Sequence, residues 1–149
     1  MSSIQHKLPT IARYLLGLVF FVFGLNGFLH FLPQPPMTGA PLNFIGALIA
    51  SGYMFPLLKG TEVLMGALLL ANRFVPLALT VLAPVLVNIV AFHSFLAPEG
   101  LAVPLVLLVA ELYLAHSYRD AFAPMLHAVN APRASSPDSN RSRVPATAS

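Results

Sequence analysis

Long apolar runs alternate along the chain with short connections that contain proline, glycine or charged residues. Four of these runs are predicted to be transmembrane helices, because about 20 helical residues cross a hydrocarbon core of about 30 Å. A single chain with four such runs cannot close a β-barrel, so helix is the conformation expected for each run. The predicted spans are residues 10–32, 54–71, 74–97 and 101–122.

The connection between the first two spans predicts a further, shorter helix. The proline-rich residues 33–36 are expected to end the first span. The segment PLNFIGALIAS then has Pro41 near its start and Gly52 as its stop, positions that these residue types favour. It is too short to cross a membrane, so it is expected to cap one end of the bundle. The predicted fold class is therefore all-α: a four-helix transmembrane bundle with a short periplasmic or re-entrant helix between spans one and two.

Composition supports a membrane protein. Hydrophobic residues make up 57% of the 149 residues and charged residues 9%, against about a quarter charged in soluble domains. The net charge of +3 is scattered and forms no basic stripe, which argues against a nucleic-acid partner. Without cysteine, the chain has no disulfide, thiolate or iron–sulfur chemistry. One domain is expected over residues 1–123, followed by a disordered cytoplasmic tail, 124–149, rich in proline, serine and arginine.

The positions of lysine and arginine predict the orientation. Lys7, Arg13, Arg73 and Arg119 fall on one side if there are four spans, whereas the opposite loops carry only Glu99. Positive charge favours the cytoplasmic side. We therefore expect a multi-pass protein of the cytoplasmic (inner) membrane with both termini in the cytoplasm. The first span is expected to be a retained signal anchor, since it is too long for a cleaved signal peptide.

Polar residues inside the predicted spans are the candidate ligand-binding residues. At about 1.5 Å of rise per residue, most of them fall in one layer of the outer half, with Glu111 near the middle. Lys59 and Glu62 are three residues apart and share a helix face. A buried ion pair seldom adds net stability over apolar packing, which favours a polar ligand. The candidates are Asn26, His30, Lys59, Glu62, Asn88, His93 and Glu111.

A structural role for the same residues is the alternative. Lys59 is close enough to the start of its helix to reach the interface with its ammonium group. Glu62 could then hold span two to its neighbours by hydrogen bonding. His116 is expected to be an interface anchor beside tyrosine and arginine residues.

Several of these residues together resemble the DoxX family of small membrane proteins. Span one carries R-x-x-x-G-x-x-F-x-x-x-G and then a histidine before the proline-rich exit, and span two carries E-x-x-x-G-x-x-x-L followed by Asn-Arg. The motif residues are Arg13, Gly17, Phe20, Gly24, His30, Glu62, Gly66, Leu70, Asn72 and Arg73. The resemblance implies a link to membrane-bound oxidoreductases, since the family is named for a subunit of a thiosulfate:quinone oxidoreductase. Arg13, Glu62 and Gly66 fall on recurrent family positions, and Lys59 does not.

Three classes of function are left open. The first is the membrane subunit or accessory protein of an oxidoreductase system, with a quinone in the outer-half pocket. Lys59, a histidine or Asn88 would then donate to the quinone, a glutamate would relay protons, and a redox partner protein would supply electrons. The second is a haem or metal protein using His30 and His93, although the spacing carries no metal-site signature, so no metal is expected. The third is a non-enzymatic assembly factor, chaperone, or small-solute or proton-handling protein. The lipid bilayer is the expected partner, and a homo-oligomer is left open.

Overall fold

The structure, a computed structural model, describes residues 2–126, and all regular structure in that part of the chain is helical. The predicted tail therefore lies outside the described residues from position 127 onward. Two single 3₁₀ turns, Pro98–Gly100 and Ala123–Leu126, flank the last helices. The six α-helices of residues 2–126 are α1 (Ser2–Leu29), α2 (Ala40–Ala50), α3 (Met54–Leu70), α4 (Val75–Phe95), α5 (Ala102–Ser117) and α6 (Arg119–Phe122).

Two helices are long and apolar enough to cross a membrane by themselves. They are the Lys7–Leu29 part of α1, and α4. The helices α2 and α3 pass the same test only as a pair, and they meet at a bend of 91°. The helix α5 is apolar but shorter. By length and composition the described residues thus hold two to three candidate spans, and the all-helical, membrane-associated class is confirmed.

The four longest helices each pack against two others. The helix α1 contacts α3 and α5, and α4 contacts the same two helices. We call the end with the α3–α4 connection the turn end, and the end with α2 and the Pro98–Gly100 turn the cap end. The buried apolar side chains are Leu16, Phe20, Met65, Leu69, Val75, Ala78, Leu79, Leu82, Leu86, Leu107, Ala110 and Leu114.

This core fills mainly the turn-end half of the helices. Toward the cap end, over residues 21–29, 54–62, 87–95 and 102–106, the buried residues are Gly24, Asn26, Glu62 and Pro104. The buried aliphatic residues Leu86 on α4 and Leu107 on α5 directly adjoin these segments. The aliphatic core therefore ends next to the buried polar and small residues of the cap end.

The end of the first span differs from the prediction. The helix α1 ends at Leu29, before the prolines, because His30 adopts a left-handed backbone conformation (φ 52°). The Asn26 side chain accepts a hydrogen bond from the Leu32 N–H, at 2.6 Å. This bond provides a partner for a backbone group that leaves the helix, so the end is set one turn earlier than the prolines alone would require.

The fourth predicted span is also shorter than expected. The helix α5 ends at Ser117, and Tyr118 leaves the helical conformation before the short α6. The prediction of a continuous helix to residue 122 was wrong. The residues that follow, Arg119 and Asp120, are charged and exposed, so an extension of the helix would have little apolar surface to bury here.

The short helix between the first two predicted spans is confirmed. The helix α2 has proline in its first turn, and Gly52, with φ 78°, follows its end. None of its residues is buried. The ring of Phe44 lies 5.6 Å from that of Phe92 on α4, so α2 rests on the cap end of the other helices rather than inside them.

Candidate functional site

Glycines bring α1 and α3 into close contact along their length. A Cβ on Gly66 would lie 2.6 Å from the Phe21 backbone nitrogen, and one on Gly24 would lie 2.9 Å from that of Val63. Such approach of two backbones is the usual use of small residues between membrane helices. These contacts also fix an antiparallel register, which places Asn26 and Glu62 at nearly the same height.

The ion pair predicted from the sequence is formed at this α1–α3 contact. The Lys59 ammonium nitrogen lies 2.8 Å from Glu62 Oε2, and the side chains are 20% and 3% exposed. The aliphatic stem of Lys59 passes over Gly27, where a Cβ would lie 2.5 Å from Lys59 Cγ. The ammonium group also lies 5.9 Å from the centre of the Phe55 ring. The lysine is therefore held against the protein and directed at the carboxylate.

Asn26 and His30 do not join this pair. Asn26 is buried close to the level of Glu62, but its Oδ1 accepts the Leu32 N–H. His30 forms the left-handed end of α1 and is exposed. In this structure, Asn26 acts as a helix-end cap, and His30 occupies the exit of the chain.

The two candidates on α4 lie at other places. Asn88 is exposed and lines a hollow of about 260 Å³ beside Phe44 and Phe92. His93 Nδ1 lies 2.8 Å from the Ile89 carbonyl oxygen, the geometry of a ring N–H donating within the helix. A Cβ on Gly100 would lie 2.7 Å from the His93 ring. The seven candidate ligand-binding residues are thus divided among several sites instead of lining one outer-half pocket.

Glu111 occupies a separate groove between α4 and α5. It is buried, with 5% of its surface exposed, and its Oε1 has no hydrogen-bond partner within residues 2–126. The α4–α5 groove has a volume of about 220 Å³. Its walls are formed mainly by Leu79, Ala83, Val87, Leu108 and Leu112, with Glu111 among them.

Glu111 and Glu62 lie at a similar height on different helices. Glu62 is eight residues before the end of α3, and Ala83 is eight residues after the start of α4. Because α3 and α4 are antiparallel and joined by a short connection, Glu62 and Ala83 lie at the same height. Because Ala83 shares the groove with Glu111, the two buried carboxyl groups occupy one layer of the protein.

Sequence reasoning missed the role of Arg13. Its guanidinium donates to the Leu69 carbonyl oxygen and, at 3.3 Å, to that of Leu70. Both carbonyls belong to the last turn of α3, where a positive charge is favourable. The one available signal was the spacing of Arg13, Gly17 and Gly24. These residues are four and seven positions apart, which places them on one side of a helix.

The haem or metal hypothesis gains no support from the described residues. Within residues 2–126 no three histidine or acidic side chains come close enough together to hold a metal ion. His30 is at the exposed end of α1, and one nitrogen of His93 is engaged with its own helix.

Comparison of the chain with family models, with curated proteins and with solved structures finds no match. The resemblance to the DoxX family therefore remains a prediction from the sequence motifs.

Proposed function

We propose that this chain is a DoxX-like protein of the inner membrane with four spans and both termini in the cytoplasm. In this proposal α1, α3, α4 and α5 are the spans, and α2 lies at the periplasmic surface. The protein acts as the membrane subunit or accessory protein of an oxidoreductase system. Its cap-end half binds the head group of a quinone, and a partner protein supplies the electrons.

The observation that carries this proposal is the buried Lys59–Glu62 pair, which lies at the α1–α3 contact toward the cap end. Charged groups inside membrane helices are costly and are retained mainly where they serve a function. The pair offers an ammonium donor and a carboxylate in the same place. These are the groups that a quinone needs for a hydrogen bond at a carbonyl oxygen and for proton transfer on reduction.

The partial exposure of Lys59 supports a ligand that approaches the ion pair from the lysine side. One fifth of the Lys59 side chain remains accessible, whereas Glu62 is almost fully covered. A ligand would thus meet the ammonium group first, with the carboxylate behind it. Apolar helices on both sides provide the environment that the rings and tails of quinones prefer.

A titration of the purified protein with short-tail ubiquinone and menaquinone analogues tests the proposal. We expect saturable binding that is weakened at least about tenfold by Lys59→Met and by Glu62→Gln, since each removes a charge-assisted contact. Glu99→Gln is the matched control, because Glu99 is an exposed acid in the cap-end turn. Absence of saturable binding, or equal binding by all four proteins, would refute the quinone site.

A non-enzymatic role is the second candidate, and one observation favours it. Lys59, Glu62 and Asn26 each have a partner inside the chain, as a purely structural set of polar groups would. An assembly factor or chaperone would then use its outer surface. Co-purification after mild solubilisation separates the two proposals: a dehydrogenase partner supports the first, and an unrelated membrane subunit supports the second.

A further inference from the structure

The α4–α5 groove combines an apolar wall with one buried polar atom that has no partner. Three of its wall residues, Val87, Leu112 and Ala83, are exposed on the outside of the helices. In a membrane the groove therefore opens toward lipid. Glu111 is one of the lining residues, and its Oε1, which is covered by protein atoms, has no hydrogen bond in the described part of the chain.

The missing hydrogen bond at the Glu111 carboxyl group indicates which kind of chemical group a ligand would have to supply. Buried polar groups are almost always paired, and a carboxyl group keeps an acceptor oxygen in either protonation state. The neighbouring hydroxyl of Thr80 is directed elsewhere, since it donates to the Pro76 carbonyl oxygen at 2.8 Å. A donor must therefore come from outside these two helices.

We infer that the α4–α5 groove binds a lipid-soluble alcohol or phenol, whose hydroxyl group donates to Glu111 while its apolar tail lies against the leucine and valine side chains. This site is distinct from the Lys59–Glu62 pair and does not depend on the proposed role in an oxidoreductase system.

Other occupants fit the groove less well. A water molecule needs two to four polar partners, and Glu111 is the one lining side chain that can offer a free polar atom, since the Thr80 hydroxyl is engaged with Pro76. An anionic head group would face a carboxyl group with no lysine or arginine in the lining. A cationic head group would have to leave water for the middle of the membrane, which is costly. A neutral hydroxyl group avoids all three difficulties.

The volume of the groove agrees with a small amphiphile. About 220 Å³ accommodates a short hydrocarbon segment or a single ring. The remainder of a longer tail would extend into the surrounding lipid, since the groove is open along the outer faces of α4 and α5. Entry from the bilayer then requires no opening of the protein.

A matched pair of probes tests the inference. The first is 4-nonylphenol, and the second is its methyl ether, which keeps the ring and tail but lacks the donor. Binding is measured by isothermal titration with the full chain in lipid nanodiscs. We expect the phenol to bind about tenfold or more tightly than the ether, which is the effect of one hydrogen bond to a carboxyl group.

Two variants and a control locate the binding. Glu111→Leu should abolish the preference for the phenol, and it should fold because it removes an unpaired buried polar group. Ala83→Leu should weaken both probes by filling the groove, and Glu99→Gln should change neither. A photoreactive nonylphenol should label α4 and α5.

Three results would overturn the inference. They are equal binding of the phenol and the ether, an unchanged preference in Glu111→Leu, and labelling confined to other helices. Any one of them would leave Glu111 as a buried carboxyl group without a ligand.

Discussion

Among the described residues, four polar side chains are buried between the apolar helices: Arg13, Asn26, Glu62 and Glu111. Three of them have partners within the chain. Arg13 and Asn26 bind backbone groups at the ends of helices, and Glu62 binds Lys59. Glu111 is the one that keeps an unpaired oxygen within the described residues. The buried polar groups therefore divide into three that have partners within the chain and one that has an unpaired oxygen.

The Lys59–Glu62 pair can be tested as a double-mutant cycle. Lys59→Met leaves the Glu62 carboxylate buried without its partner and should lower the free energy of unfolding by up to about 3 kcal/mol. Combining it with Glu62→Leu should restore most of that loss, because no charge then remains. The measurement is helix content by circular dichroism as SDS is added to mixed micelles.

Glu99→Gln serves as the control for this cycle, since the side chain is exposed at the cap end. A double variant that is as unstable as Lys59→Met alone would show that the pair itself, rather than the unpaired charge, stabilises the protein.

At the scale of the helices, the α1–α3 contact depends on the absence of side chains at particular positions. Gly66 faces the α1 backbone, whereas a Cβ on Gly60 of the same helix would meet nothing within 4 Å. The sequence alone does not distinguish the two glycines, because which face of α3 meets α1 depends on the rotation of the helix.

These two glycines provide a matched comparison. Gly66→Ala should force α1 and α3 apart and cost about 1–3 kcal/mol of unfolding free energy, as overpacking does. Gly60→Ala should leave stability unchanged or raise it, since alanine is the better helix former. The SDS titration measures both variants, and equal effects would mean that the α1–α3 contact is not as close as described.

Arg13 stabilises the end of another helix. Arg13→Met should lower the free energy of unfolding by about 1–3 kcal/mol, because the Leu69 and Leu70 carbonyl oxygens lose a charged donor. Arg13→Lys should recover part of this loss. Arg73→Met is the control, since Arg73 is exposed in the adjacent connection.

If Arg13→Met and Arg73→Met behave alike in the same unfolding titration, the effect comes from charge near the membrane surface. The capping role of Arg13 would then be wrong.

At the scale of the whole molecule, the path of the chain relative to the membrane is the main prediction. The chain has no native cysteine, so single cysteines can be labelled from either side without a background. In the four-span arrangement, Ser51→Cys and Glu99→Cys should react in intact cells with a membrane-impermeant maleimide that reaches the periplasm. Ala71→Cys should react only after the inner membrane is permeabilised.

Ser51 also tests how α2 is placed. It lies between α2 and α3, at the 91° bend. If these two helices together formed one broken span, Ser51→Cys would lie inside the membrane and would stay unlabelled. Labelling at Ala71 in intact cells would instead contradict the orientation of all the spans.

Sequence alone determined the features of this protein that depend on local residue patterns. The apolar runs predicted helices, Pro41 and Gly52 predicted the limits of α2, and the three-residue spacing predicted that Lys59 and Glu62 share one face of their helix, where they pair. These properties follow from the cost of exposing polar backbone to lipid and from helical periodicity, both of which are local.

Tertiary structure decided which polar residues meet. Depth along each span suggested one shared layer for seven residues, but depth does not give the rotation of a helix or the bonds that its side chains make. Asn26 is used at the end of α1, Asn88 lies outside, and Glu111 faces a groove between α4 and α5. Contacts between helices depend on backbone approach at residues such as Gly66, and this approach exists only once the helices are packed.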